Sequence, residues 1–189
     1  MNQIVQKFQE AKTKRSSTNQ HLETLRQLAT ECSHITEFGV CRVVSTWAFL
    51  LGCKGKIVSY DIVQHKEIDE ALEICRQENV NWTFIKESSI KVEIEPTDML
   101  FIDDLHIGEH LQKEIDLHAT KVHKYIVMHD TEKHKTAGEK VRIHGDQGYQ
   151  RGKIDGLWPV IERMVASGVW RIKAHYKYNW GLTVLERVL

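Results

Sequence analysis

Along the chain, apolar residues at strand-like spacing alternate with apolar residues at helical spacing. Ile4, Val5 and Phe8 share one face of a short first helix, and Leu22, Leu25, Leu28 and Ala29 mark a second over about 18–31. "HITEFGV" then reads as a short buried strand, residues 43–52 as a helix, "KIVSYDIV" as a strand, and 66–78 as a helix with Ile68, Ala71, Leu72 and Cys75 inward. "VNWTFIK" is a third strand and "DMLFIDD", after the turn marker Pro96, a fourth. A helix over 107–121, with Leu111, Ile115 and His118 facing in, leads to a fifth strand, "KYIVMHD". Residues 157–166 are helical, and two last strands, "VWRIKAHYKY" and "GLTVLERVL", are split by Asn179-Trp180-Gly181 in the manner of a hairpin.

Regular strand–helix alternation predicts an α/β fold, Rossmann-like and doubly wound. The mainly parallel sheet has about seven strands with helices on both faces, and the closing hairpin makes its last strand antiparallel. One domain spans 1–189, with N-terminal helices over 1–32 and the core over 33–189. The segment 131–156 is polar, carries Gly138, Gly145, Gly148, Gly152 and Gly156, and has no periodic pattern. Its length suits a lid or binding loop, mobile when free and ordered by a ligand.

Composition narrows the function classes. At 189 residues the chain is long enough to bury a full core, and 41% hydrophobic with 28% charged residues is ordinary for a globular protein. Lys+Arg and Asp+Glu number 26 each, so no net field recruits nucleic acid or an anionic membrane. Cys32, Cys41, Cys53 and Cys75 form no CxxC pair and sit in apolar segments, as buried thiols do in a reducing compartment. The N-terminus has no apolar signal region and "WAFLLGC" is too short to span a bilayer, which predicts a cytoplasmic protein. Trp47, Trp82, Trp170 and Trp180 fall in apolar patterns that place them in the core.

In open α/β sheets, ligands bind beyond the carboxyl ends of the strands. Those ends carry Glu37-Phe38-Gly39, Asp61, Glu87-Ser88, Asp103-Asp104 and His129-Asp130, an acid at each. Asp61 follows Gly39 by 22 residues, near the offset at which an acid takes a ribose hydroxyl, although an acid there can also cap the next helix. Beyond Gly39, Cys41, Val43 and Val44 stand where glycine would let backbone approach a ligand. With no pyrophosphate cradle, a nucleotide-like cofactor without phosphates fits better than NAD or ATP.

The succession of Glu37-Phe38-Gly39, Ser45-Thr46, "VSYD", "FIDDLH", "YIVMHDT", "GLWPVIE" and "NWGLTVLERV" resembles class I S-adenosylmethionine-dependent methyltransferases over roughly 33–188. It is most similar to the small macrocin-type O-methyltransferases and cephalosporin-hydroxylase-like proteins of bacteria and bacteriophages. The resemblance implies methyl transfer from S-adenosylmethionine to a hydroxyl of a sugar or other small molecule, with no nucleic-acid or membrane partner. A homo-oligomer is compatible with it. It implies cofactor contacts at Glu37, Phe38, Gly39, Ser45, Asp61, Ile62, Glu87, Ser88 and Asp103. Where relatives have "FIDGDH", this chain has "FIDDLH", which keeps Asp103 and His106.

Catalytic candidates are Asp103, His106 and His129, either imidazole serving as a base near neutrality. Asp103, His129 and Asp130 are a candidate divalent-metal set, better suited to Mn²⁺, Fe²⁺ or Zn²⁺ than to Mg²⁺. Without metal, a proton shared with His129 or His106 would offset the two carboxylates. His118 reads as a core residue, His110 and His123 as helix-edge residues, and His134 and His144 as loop residues within reach of the site. Two competing functions are a non-catalytic methyltransferase-like binding protein and an iron oxygenase using His106, His129 and an acid.

Overall fold

The structure is a computed structural model and describes residues 2–140 and 155–188. Seven strands form one sheet: β1 His34–Phe38, β2 Lys56–Asp61, β3 Trp82–Lys86, β4 Thr97–Ile102, β5 Val122–His129, β6 Trp170–Tyr176 and β7 Leu182–Arg187. Their order is β3-β2-β1-β4-β5-β7-β6. The first five run parallel, and β7 pairs antiparallel with both β5 and β6, as the closing hairpin predicts.

Each residue of β4 is buried because helices cover both faces of the sheet. Alternation along the strand sends Met99 and Phe101 to one face and Leu100 and Ile102 to the other. The first face packs against α1 Gln3–Thr13, α2 Leu22–Thr30, α3 Val44–Gly52 and α4 Lys66–Gln77. The second packs against α5 Gly108–His118 and α6 Trp158–Ala166. Phe49 and Phe101 meet edge-to-face at 5.2 Å in the first layer.

Local chemistry sets the helix ends. The Asn2 side chain accepts the Val5 N–H at 3.1 Å and opens α1. The helix expected over 18–31 starts later than its periodicity suggests. The Ser16 hydroxyl accepts the Asn19 N–H at 3.0 Å, and the chain makes a tight turn over Asn19–His21 before α2. That turn is tied to the β6–β7 connection, because His21 Nε2 lies 3.2 Å from the Asn179 carbonyl. Residues 119–121 likewise form a separate tight turn after α5. Most of the proposed lid, residues 141–154, lies outside the described residues, but its flanks are anchored. Ala137 and Asp155 form a bridge, and the Gly108 N–H donates to the Asp155 carbonyl at 2.8 Å.

Among the described residues no helix is long and apolar enough to cross a membrane. Cys32, Cys53 and Cys75 are buried free thiols. Cys41 corrects the expectation of four buried thiols, since it is exposed on the loop after β1.

Candidate active site

Neighbouring strands β1 and β4 lie where the strand order reverses, and a cavity of about 460 Å³ opens beyond their carboxyl ends. Gly39, Asp61, Ile62, Glu87, Ser88 and Asp103 line it, so six of the nine expected cofactor contacts share one wall. Ser17, His106, Asp130 and Trp180 complete its other end.

The glycine-poor loop keeps a glycine-like backbone. Gly39 has φ +83°, and a Cβ there would stand 2.1 Å from the Asp103 carbonyl oxygen, so only glycine lets β1 pass this close to β4. Cys41 at φ +47° and Val43 at φ +65° are also left-handed, giving that conformation at alternate positions. A β-branched residue there is a steric outlier costing about 1–2 kcal/mol. Asp61 offsets part of that strain. Its Oδ2 accepts the N–H groups of Val40 and Cys41 at 2.9 and 2.8 Å, and its Oδ1 accepts that of Val63 at 2.9 Å. The acid ending β2 thus shapes the loop that ends β1.

Glu37, Phe38 and Ser45 are placed elsewhere. Glu37 is fully buried beneath the loop, where it accepts hydroxyls from Ser45 at 2.7 Å, Thr46 at 2.9 Å and Ser59 at 2.6 Å. Burial pushes its carboxyl up to about 7, against the pull of those three donors. Phe38 faces the opposite layer, packed against the rings of Tyr60 and His118. None of the three lines the cavity; Glu37 and Ser45 brace the start of α3 from below.

Asp103, His106, His129 and Asp130 converge. Asp103 Oδ1 lies 3.2 Å from both His106 Nε2 and His129 Nδ1. His106 Nε2 is also 3.1 Å from Asp130 Oδ2, and His129 Nδ1 is 3.1 Å from Asp130 Oδ1. The latter contact is close but poorly aligned, and Asp130 Oδ1 makes no hydrogen bond among the described residues. The outer nitrogens meet acceptors too: His129 Nε2 faces the Ser17 carbonyl at 3.0 Å, and His106 Nδ1 faces Glu139 at 3.4 Å. A ring with an acceptor at each nitrogen carries two protons. Burial would lower both histidines, but Asp103, with Glu139 at His106 and Asp130 at both rings, raises each to about 10. Burial would raise Asp103, yet the charges and hydrogen bonds of His129 and His106 hold it well below the carboxylate range. The imidazoles are therefore cations at neutrality, not the near-neutral bases expected from residue type. The ligand atoms that crowd within 4.8 Å belong to Asp103, His106 and Asp130, rather than to Asp103, His129 and Asp130.

His110, His123 and Trp180 are not where the apolar pattern places them, His123 lying on β5 rather than at a helix edge. His110 is not at a helix edge but buried, with Nε2 3.3 Å from Asp104 on the cavity wall. Its spacing from Leu111 and Glu114 on one helix face was the available signal. Trp47, Trp82 and Trp170 are buried, but Trp180 is 47% exposed. The turn through Asn179 (φ +46°), Trp180 (φ +70°) and Gly181 (φ +95°) turns that ring out to the cavity, with Lys133 Nζ 3.2 Å from its centroid. His118 is a core residue bonded to the Ser89 carbonyl at 2.8 Å, and His123 is exposed on β5. His134 stacks on His106 at 5.1 Å, and His144 lies outside the described residues.

No protein-family model matches the chain, and no curated protein is similar to it. Solved structures do match. A methyltransferase from Geobacter sulfurreducens aligns with TM-score 0.66 and 11% identity, over 100% of this chain and 90% of that one. A putative caffeoyl-CoA O-methyltransferase from Staphylococcus aureus gives 0.64 and 14%, over 89% and 83%. A Podospora anserina methyltransferase bound to S-adenosylhomocysteine gives 0.60 and 16%, over 100% and 89%. At these identities the likeness is one of architecture: the chain has the Rossmann-like fold that these methyltransferases share.

Proposed function

We propose that the chain is an S-adenosylmethionine-dependent methyltransferase acting on a hydroxyl of a small acceptor. The observation that supports this best is the one cavity lined both by Asp61 and the left-handed loop and by Asp103, His106 and Asp130, with His129 buried behind it. The fold likeness to methyltransferases, one of them bound to S-adenosylhomocysteine, supports the choice of cofactor. The motifs "FIDDLH" and "IVMHDT" favour the macrocin-type O-methyltransferases within that class, and with them a sugar hydroxyl as acceptor.

The residues present fit this cofactor. Asp61 would take the ribose hydroxyls, Gly39 lets backbone approach without a side chain, and Ile62 with Glu87 and Ser88 would flank the base. When bound, S-adenosylmethionine supplies an electrophilic methyl group on a sulfonium, open to displacement by an acceptor oxygen. Asp130, which lines the cavity, would take the proton of the acceptor hydroxyl. The His106 cation stabilises the oxygen's developing charge, and His129 is held in place by the Ser17 carbonyl. A divalent cation fits this cluster poorly, because the rings of His106 and His129 would have to release protons first. The same protons occupy the ring positions that an iron triad would use.

Calorimetry with S-adenosylmethionine and S-adenosylhomocysteine is the direct test. Binding is expected in the parent and in Asp130→Asn, while turnover with a hydroxyl acceptor falls by about 10²–10⁴-fold in Asp130→Asn. Absence of binding by the parent would refute the reading and leave the non-catalytic alternative, which the strained Cys41 and Val43 favour.

A further inference from the structure

Beside the cofactor wall lies a second cluster of metal-ligating side chains. Asp104 follows β4, and His110 and Glu114 are one helical turn apart on α5. Glu114 is fully buried and His110 nearly so. His110 Nε2 stands 3.3 Å from Asp104 Oδ2 and 3.6 Å from Glu114 Oε1, the second too long for a hydrogen bond. Both carboxylate oxygens of Glu114 are without a hydrogen-bond partner among the described residues. Two carboxylates here face one imidazole.

We propose that Asp104, His110 and Glu114 bind one divalent transition-metal ion, Zn²⁺ by preference. Two carboxylate oxygens and one imidazole nitrogen are a donor set for borderline cations, and their ligand atoms lie within 4.8 Å of one another. A tetrahedral ion with bonds of about 2.1 Å holds its ligand atoms about 3.4 Å apart, close to both His110 contacts. Ser89 Oγ, 2.8 Å from Asp104 Oδ2 and 3.2 Å from His110 Nε2, marks the fourth position for itself or a water. Asp104, Ser89 and His110 line the cavity, so an ion has a path in. The ion's two positive charges offset the carboxylates of Asp104 and Glu114. The ion would fix the start of α5 against the wall that carries Ser88 and Ser89, a structural role independent of methyl transfer.

The test uses the chelator-stripped full chain without cofactor, dialysed against Zn²⁺ and Mn²⁺ with the bound metal counted. One ion per chain is expected in the parent and in Asp130→Asn, with affinity lower by more than about 100-fold in Glu114→Gln. No uptake by the parent overturns the proposal, as does uptake that Glu114→Gln leaves unchanged or that Asp130→Asn abolishes. If Glu114→Gln does not fold, the Co²⁺-loaded parent decides by nuclear magnetic resonance. Paramagnetic shifts at the His110 ring support the site, and shifts confined to His106 and His129 overturn it.

Discussion

Replacing Asp61 with Asn keeps the side chain's shape and removes its charge. The parent carboxylate accepts three backbone N–H groups, from Val40, Cys41 and Val63. An amide turned so that its oxygen meets Val40 and Cys41 puts its NH₂ against the Val63 N–H, so one bond is lost and two become neutral. Charge-assisted bonds contribute about 1.5–3 kcal/mol and neutral ones about 0.5–1.5. At this half-buried site the low ends apply, and the loop loses roughly 3 kcal/mol in all. A bound ribose would lose a further 1.5–3 kcal/mol or so, roughly 10- to 150-fold in affinity. Calorimetry with S-adenosylhomocysteine and thermal denaturation separate the two losses. Adding Cys41→Gly to Asp61→Asn relieves the left-handed strain at φ +47° and should recover part of the lost melting temperature but none of the affinity. Affinity equal to the parent's in Asp61→Asn would refute the ribose assignment. Full recovery of affinity by the second substitution would mean that Asp61 acts on the loop alone.

In the parent background, Cys41→Gly should stabilise by up to about 1 kcal/mol, as strain relief exceeds the added unfolded-chain entropy, and a lower melting temperature would contradict this. Glu37→Gln should be tolerated far better than Glu37→Ala, which leaves three buried hydroxyls without their shared acceptor and costs several kcal/mol or so by denaturant unfolding. Stability should be highest on the mildly acidic side. His106 and His129 are raised from 6.5 to about 10, so their contribution is complete below pH 6.5 and is lost as pH climbs toward 10. Asp103 is depressed from 3.8, so its contribution is present above that value and fades as pH falls. A melting temperature that rises from pH 6.5 to 9 would overturn the imidazolium assignment.

The sheet was legible because its two signals, buried apolar runs and helical spacing, are both one-dimensional. Each of the seven strands lies where the pattern predicts it, and the antiparallel pairing of β7 follows from the Asn179–Gly181 interruption. The side chains lining the cavity were legible only in part. Alternation along β1 should have shown that Glu37 and Phe38 point to opposite faces, so neither needed to reach a ligand beyond the strand end. Trp180 was hidden because its exposure depends on left-handed backbone at two non-glycine residues, which no apolar pattern encodes. His110 depended on a partner, Asp104, that approaches it from outside its helix. The charge of His106 and His129 was the least legible property, since it depends on carboxylates and carbonyls brought together from four segments.

The acids at the strand ends share a position in the fold and differ in what offsets them, and that difference assigns their work. Glu37 is met by hydroxyls and burial, so it can give up its charge and serve as a brace. Asp61 is met by backbone N–H groups, which fix its direction and leave its charge available to hydroxyl donors at the cavity. Asp103 is surrounded by two imidazoliums and held ionised, which makes it an orienting group rather than a base. Asp130 shares those cations, sits at φ +59° and lines the cavity, with its Oδ1 buried and without a hydrogen bond among the described residues. In the proposed reaction the hydroxyl proton goes to Asp130 and to neither histidine, because each ring already holds a proton on both nitrogens, although histidine is the residue whose ordinary pKa would suggest it.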